Sequence, residues 1–236
     1  MTRRSRRHRT WFAALTTAAL AAALAACGDA KDNGAQPSAP ASSPSPAASP
    51  AHSQAPATTK KQWSRPPEMQ IDQSKTYEAV VETTKGSFTI ALAADKAPQT
   101  VNSFVFLAKE NYFENIKFHR IIKGFMVQTG DPKGDGTGGP GYKLKDELDP
   151  PPKYELGTVA MAKAGPNTAG SQFFICVSED CGGLNGRPEY TVFGKVTEGM
   201  DNVLKIADTP VTFSDTGEPS KPKEDVLIQK VTIKEK

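Results

Sequence analysis

Along residues 76–234 apolar and polar side chains alternate in short runs. Residues 77–84 and 87–92 alternate polar and apolar residues, with Lys85-Gly86 between them, which predicts a β-hairpin. Pro98 opens a different rhythm. Val101, Phe104, Val105, Leu107 and Ala108 recur on one side, so a helix is predicted to about Tyr112. Residues 118–122 and 125–129 are strand-like runs around Gly124. Residues 131–142 hold five glycines and two prolines and predict a long loop. Further strands are expected at 158–162, 172–177 and 190–196, a second helix at 199–207, and a closing strand at 226–234. Seven or eight short strands with two helices place the chain in the mainly β class, as a barrel or sandwich closed by helices.

Upstream of this domain the pattern changes twice. Residues 11–26 carry no charge and follow a basic start, MTRRSRRHRT. Sixteen residues fall short of the roughly 20 that cross a bilayer, and the basic flank is that of a secretory signal. The run ends Leu24-Ala25-Ala26-Cys27, which resembles a bacterial lipobox. That resemblance implies cleavage after residue 26, lipidation of Cys27 and an extracytoplasmic, membrane-anchored protein. Ser5-Arg6-Arg7 resembles a twin-arginine signal only in part, so the export route stays open. Residues 28–60 contain nine Ala, six Pro and six Ser and no aromatic residue. Such a stretch cannot bury enough apolar surface to offset its ordering entropy. The expected organisation is a signal at 1–26, an Ala/Pro/Ser-rich tether at 27–61, an arm packing on the domain at 62–75, and one domain at 76–236.

Charge then narrows the function classes. The formal net charge of +3 depends on five arginines before Cys27; without them 24 Lys and Arg face 26 Asp and Glu. The remainder has no basic excess, which removes the simplest support for nucleic-acid binding. Three histidines spread over the chain do not build a metal site, and three cysteines do not make a disulfide framework. Cys176 and Cys181 are either a disulfide or free thiols; spacing alone does not decide. The glycine-dense GDPKGDGTGGPG lacks phosphate-loop spacing, and Asp131, Asp135, Asp146 and Glu147 lack calcium-loop spacing, so the acids are expected to be solvated. His119 is expected to pack against the barrel. No metal or cofactor is expected.

FHRIIKGFMVQTGD (118–131), MAKAGPNTAGSQFFICV (161–177), LNGRPEYTVFGKVTEGMDNV (184–203) and APQTVNSFVFLAKENYF (97–113) resemble, in order, the characteristic segments of the cyclophilin-type peptidyl-prolyl cis-trans isomerases. The resemblance implies an eight-stranded antiparallel β-barrel capped by two α-helices. It implies rotation of X-Pro bonds in exported, proline-containing polypeptides, by a monomer without a covalent intermediate. A proline-peptide-binding chaperone, or an envelope interaction module, with incidental catalysis is the alternative.

The chemistry states what such a site needs. An X-Pro bond rotates over a barrier of roughly 18–20 kcal/mol, taking tens to hundreds of seconds unaided. No bond breaks, so no nucleophile is required. A catalyst needs an apolar slot for the ring and a donor to the prolyl nitrogen, whose lone pair returns as the amide twists. By resemblance Arg120 is that donor, and Gln128 orients it. Phe125, Met126, Phe174 and Leu184 map onto the proline slot; Gln172, Ala162 and Lys163 map onto the polar wall and strand edge that hold the peptide backbone. On a strand Phe174 and Cys176 face opposite to Phe173 and Ile175, so FFIC supplies both a slot face and a core face. Three positions depart from the family. Lys163 stands where many relatives have asparagine, which is expected to change preferences beside the proline. Gly183 replaces a tryptophan that binds cyclosporin in relatives, and Tyr190 replaces a rim histidine.

Overall fold

The structure is a computed structural model and describes residues 61–236. Cys27, the signal and most of the tether lie outside the described residues.

Strands β1 (Tyr77–Thr83) and β2 (Gly86–Leu92) form the first hairpin, in register from Tyr77 opposite Leu92 to Thr83 opposite Gly86. Helix α1 (Pro98–Lys109) follows, then β3 (Arg120–Ile122), β4 (Met126–Thr129), β5 (Thr158–Met161) and β6 (Phe173–Cys176). After a 3-10 helix at Glu179–Gly186 come β7 (Val192–Glu198), α2 (Met200–Ala207), β8 (Val211–Phe213), β9 (Pro219–Pro222) and β10 (Ile228–Glu235). Eight strands make one antiparallel sheet in the order β10-β1-β2-β7-β5-β6-β4-β3. Its outer edges meet just before β3, where Lys117 bridges Leu227 and the Phe118 N–H donates to the Val226 carbonyl at 2.9 Å. The sheet thereby curls into a barrel-like wall, the mainly β architecture expected.

The alternating strands close an aromatic core. Phe104 from α1 packs on Phe113, Phe173 and Phe193 with ring centroids 5.0, 5.7 and 5.2 Å apart. Helix α1 begins with Pro98, which needs no hydrogen bond at that position. No cap comes from its own N-terminal residue. Glu147 supplies it from a distant loop, accepting from the Gln99 and Thr100 N–H groups at 3.0 and 2.9 Å and from the Thr100 hydroxyl at 2.7 Å. Residues 62–71 run against the same helix: Trp63 meets Phe106 edge to face with ring centroids 5.1 Å apart, and Asn102 accepts from the Gln70 and Ile71 N–H groups.

β6 is buried on both faces, and its two faces belong to different clusters. Phe173 and Ile175 join the main core. Phe174 and Cys176 join Met126, Ala160, Tyr154 and Cys181 in a second cluster on the outer side of the wall. A disulfide links Cys176 to Cys181 and fastens the 3-10 helix to this cluster.

The loop acids correct the sequence reading. Asp131 is 1% exposed and accepts from the N–H groups of Lys133, Asp135 and Gly136. Asp146 is paired with Lys163, and Glu147 caps α1. They organise the long glycine-rich loops rather than facing water. Asp135 is exposed and turns back on Thr137. Gly138 shows why glycine recurs here: a Cβ would sit 2.0 Å from Asp131 Oδ1.

Candidate active site

Strand register alone sets a row of side chains across the outer face. Arg120 on β3 lies opposite Gln128 on β4, Gln128 opposite Phe174 on β6, and Phe174 opposite Ala160 on β5. Partners in register point to the same side of a sheet. The row faces a groove of about 570 Å³, and all ten site residues named from the sequence line it.

Its floor is the second apolar cluster. Met126 and Phe174 are buried, and Phe125 and Leu184 pack against them while remaining partly open. Phe125 sits at the β3–β4 turn, where the Val177 N–H donates to its carbonyl at 3.0 Å. Leu184 rides on the 3-10 helix, which is capped by the Ser178 hydroxyl and held by the Cys176–Cys181 disulfide. The Tyr190 ring meets Phe174 edge to face at 5.5 Å. Buried Tyr154 holds Tyr190 by both backbone groups, donating from its hydroxyl to the carbonyl and accepting from the N–H, each at 2.8 Å. Burial pushes the Tyr154 phenol above its ordinary value, so it remains a donor.

The polar wall is one directional chain of hydrogen bonds. Arg120 Nη1 donates to Gln128 Oε1 at 3.3 Å, and Gln128 Nε2 donates to Gln172 Oε1 at 3.0 Å. Gln172 Nε2 then donates to the Gly136 and Gly138 carbonyls, both at 2.9 Å. A guanidinium can only donate, so it dictates which end of each amide faces which neighbour down the chain. Gln172 also marks the strand edge, because its carbonyl accepts from the Ala162 N–H at 2.9 Å.

Glu218 closes the other end of this chain and escaped sequence analysis. Its carboxylate accepts from Arg120 Nε at 2.7 Å and Nη2 at 2.8 Å, a two-point fork. The hydrogen bonds from Arg120 hold the Glu218 carboxyl below its ordinary value, with burial opposing and Ser220 assisting. Glu218 immediately precedes β9, in the β8–β9 hairpin for which no element was predicted. The available signal was the turn Ser214-Asp215-Thr216-Gly217, but Pro219 and Pro222 argued against a strand.

One residue behaves differently from expectation. Lys163 lines the groove, yet its ammonium is bound to Asp146 Oδ2 at 2.6 Å, and both side chains are at most 10% exposed. Its charge is spent within the wall, so it offers the groove little beyond its stem and backbone. His119 is packed inward with neither ring nitrogen hydrogen-bonded; burial holds it below the ordinary histidine value and therefore neutral. At Gly183 a Cβ would meet nothing within 4 Å, so the glycine leaves that rim open.

Comparisons with known proteins agree with this geometry. A family profile described as "Cyclophilin type peptidyl-prolyl cis-trans isomerase/CLD" matches residues 79–233. A Helicobacter pylori protein named peptidyl-prolyl cis-trans isomerase is 46% identical over 136 residues, covering 56% of this chain and 82% of that one. A Mycobacterium tuberculosis protein named probable peptidyl-prolyl cis-trans isomerase B is 40% identical over 167 residues, 64% of this chain and 52% of its own length. The crystal structure of a Cryptosporidium parvum cyclophilin-type isomerase superposes with a TM-score of 0.59 at 32% identity, over 67% of this chain and 98% of that one. With a groove of this construction and a family match across its whole barrel, the chain belongs to the cyclophilin-type peptidyl-prolyl cis-trans isomerases and is an enzyme of that class.

Proposed function

We propose that this isomerase works outside the cytoplasm, anchored to the cell membrane through lipidated Cys27, on proline-containing segments of exported polypeptides. Leu24-Ala25-Ala26-Cys27 after a basic, uncharged-cored leader carries that placement. The Cys176–Cys181 disulfide supports it, since such bonds persist in oxidising compartments. Substitution Cys27→Ala tests the anchor: acylation and membrane partitioning should be lost, and a variant that is acylated and pelleted like wild type refutes it. The barrel is taken to act as a monomer.

In the groove the peptide backbone lies along the Ala162–Lys163 edge and the prolyl ring occupies the slot of Phe125, Met126, Phe174 and Leu184. A solved Cryptosporidium parvum relative was crystallised in the presence of the dipeptide Ala-Pro. Arg120 directs an N–H not used by Glu218 or Gln128 at the prolyl nitrogen. That nitrogen is a poor acceptor in the planar amide and a good one in the twisted amide, so the interaction favours the transition state over both ground states. Gln128 and Gln172 orient the guanidinium and offer the backbone polar partners. The observation that carries this reading is a guanidinium fixed at the rim of an apolar slot. A protease-coupled isomerisation assay tests it, and absence of turnover on several X-Pro peptides overturns it.

A further inference from the structure

We infer that Glu218 is a positioning residue of the isomerase site: its carboxylate, brought from the β8–β9 hairpin, fixes the orientation of the Arg120 guanidinium. The inference rests on the reading of Arg120 as the donor to the prolyl nitrogen.

The distances rank the two groups that hold the arginine. Gln128 reaches it through one bond of 3.3 Å, past the usual range for N–H···O. Glu218 reaches it through two bonds of 2.7 and 2.8 Å, both charge-assisted. Two parallel bonds fix a plane, whereas one bond leaves a rotation. Glu218 occupies Nε and one N–H of Nη2, and Gln128 takes one N–H of Nη1. One N–H on each terminal nitrogen is left for a substrate.

The hairpin is built to present this carboxylate. Gly217 adopts φ +81°, a left-handed conformation that favours glycine, and the Gly217 N–H donates to the Ser214 carbonyl at 2.9 Å. The Ser214 N–H donates to the Glu218 carbonyl at 2.8 Å, and the Glu218 N–H donates to the Ser214 hydroxyl at 3.2 Å. Val211 opposite Pro222 and Phe213 opposite Pro219 complete the pairing. Pro219 donates nothing, so this short ribbon does not extend the main sheet and its tip stays beside β3. The alternative role, a salt bridge that only fastens the hairpin to β3, predicts altered stability with unaltered chemistry. The two side chains are 39% and 33% exposed, where an ion pair adds little stability.

Freeing two torsions of the arginine, each with three wells, gives about nine arrangements where the fork allows one. Glu218→Gln and Glu218→Ala should therefore slow isomerisation about tenfold, with peptide affinity changed less than twofold. Glu218→Asp keeps the charge but is one methylene short, and should fall between. The experiment uses the full-length chain, an Ala-Pro-containing peptide, exchange NMR for rate, titration for affinity, and the Arg120 Nε–Hε resonance. In wild type that resonance should be protected from solvent exchange, and in Glu218→Gln it should lose protection. Glu218 variants with wild-type or faster turnover, beside an impaired Arg120→Ala, overturn this inference and leave the arginine reading standing. Wild-type turnover in Arg120→Ala removes both. If Glu218→Ala fails to fold, the near-isosteric Glu218→Gln decides by rate and resonance together.

Discussion

Replacement of Arg120 by alanine is the sharpest perturbation, because the proposed mechanism asks one guanidinium for most of its transition-state selectivity. A charge-assisted hydrogen bond is worth about 1.5–3 kcal/mol net. Losing one preorganised transition-state donor costs roughly 2.7–4 kcal/mol, about 10²–10³ in rate. The Arg120 side chain is 39% exposed, so water weakens its field and the lower end applies. Arg120→Ala should cut kcat/KM about 10²-fold. The apolar slot remains and still takes up the ring, so residual turnover above the uncatalysed rate and a peptide affinity within about threefold of wild type are expected. Phe125→Ala should invert this balance, with most of its loss in binding, since in the proposed binding mode Phe125 contacts the ring in every state of the amide. Arg120→Lys should recover little: an ammonium cannot satisfy the two-point fork to Glu218 and face the prolyl nitrogen in a fixed plane. The assay is exchange NMR on a proline peptide for rate, with titration for affinity, on variants whose folding is checked by circular dichroism. Near-wild-type turnover in Arg120→Ala, or a loss confined to affinity, would refute the reasoning.

Gly183 leaves an open rim where relatives carry a tryptophan, so cyclosporin should inhibit weakly and Gly183→Trp should strengthen inhibition; equal inhibition of the two forms counts against the assignment of that position. His119 gives a pH dependence. Its folded-state value lies below the ordinary 6.5, so the unfolded chain binds the proton first and stability present above pH 6.5 is lost as pH falls through the window below it. Thermal melts should show that acid-side slope flattened in His119→Gln, and an unchanged slope would assign it to the carboxylates instead.

How much of this was legible beforehand divides along a physical line. Period-two alternation revealed the first hairpin, because alternation is what a strand between two environments imposes on sequence, whereas the strands around Gly124, the FFIC strand and the closing strand were legible as short apolar runs between turn residues. Helix α1 was legible from Pro98 and its apolar stripe, although it ends at Lys109 rather than near Tyr112. The groove residues were legible because they lie in contiguous segments with a family resemblance, and strand register then brings them into one row.

Only tertiary structure decided the rest. Asp131, Asp146 and Glu147 looked like solvated loop acids; their partners are backbone amides, a lysine and a helix end up to 48 residues away, and no local pattern encodes such pairings. Cys176 and Cys181 could be paired only once the 3-10 helix was seen to fold back on β6. Glu218 stands 98 residues from Arg120, on a ribbon whose prolines hide its strand character, and only closure of the barrel brings it to the guanidinium. Sequence by itself determined the mainly β class, the apolar residues that line the groove and the arginine beside them, because these depend on side-chain type and local period. What holds that arginine still depends on long-range contacts, and those exist only after the chain has folded.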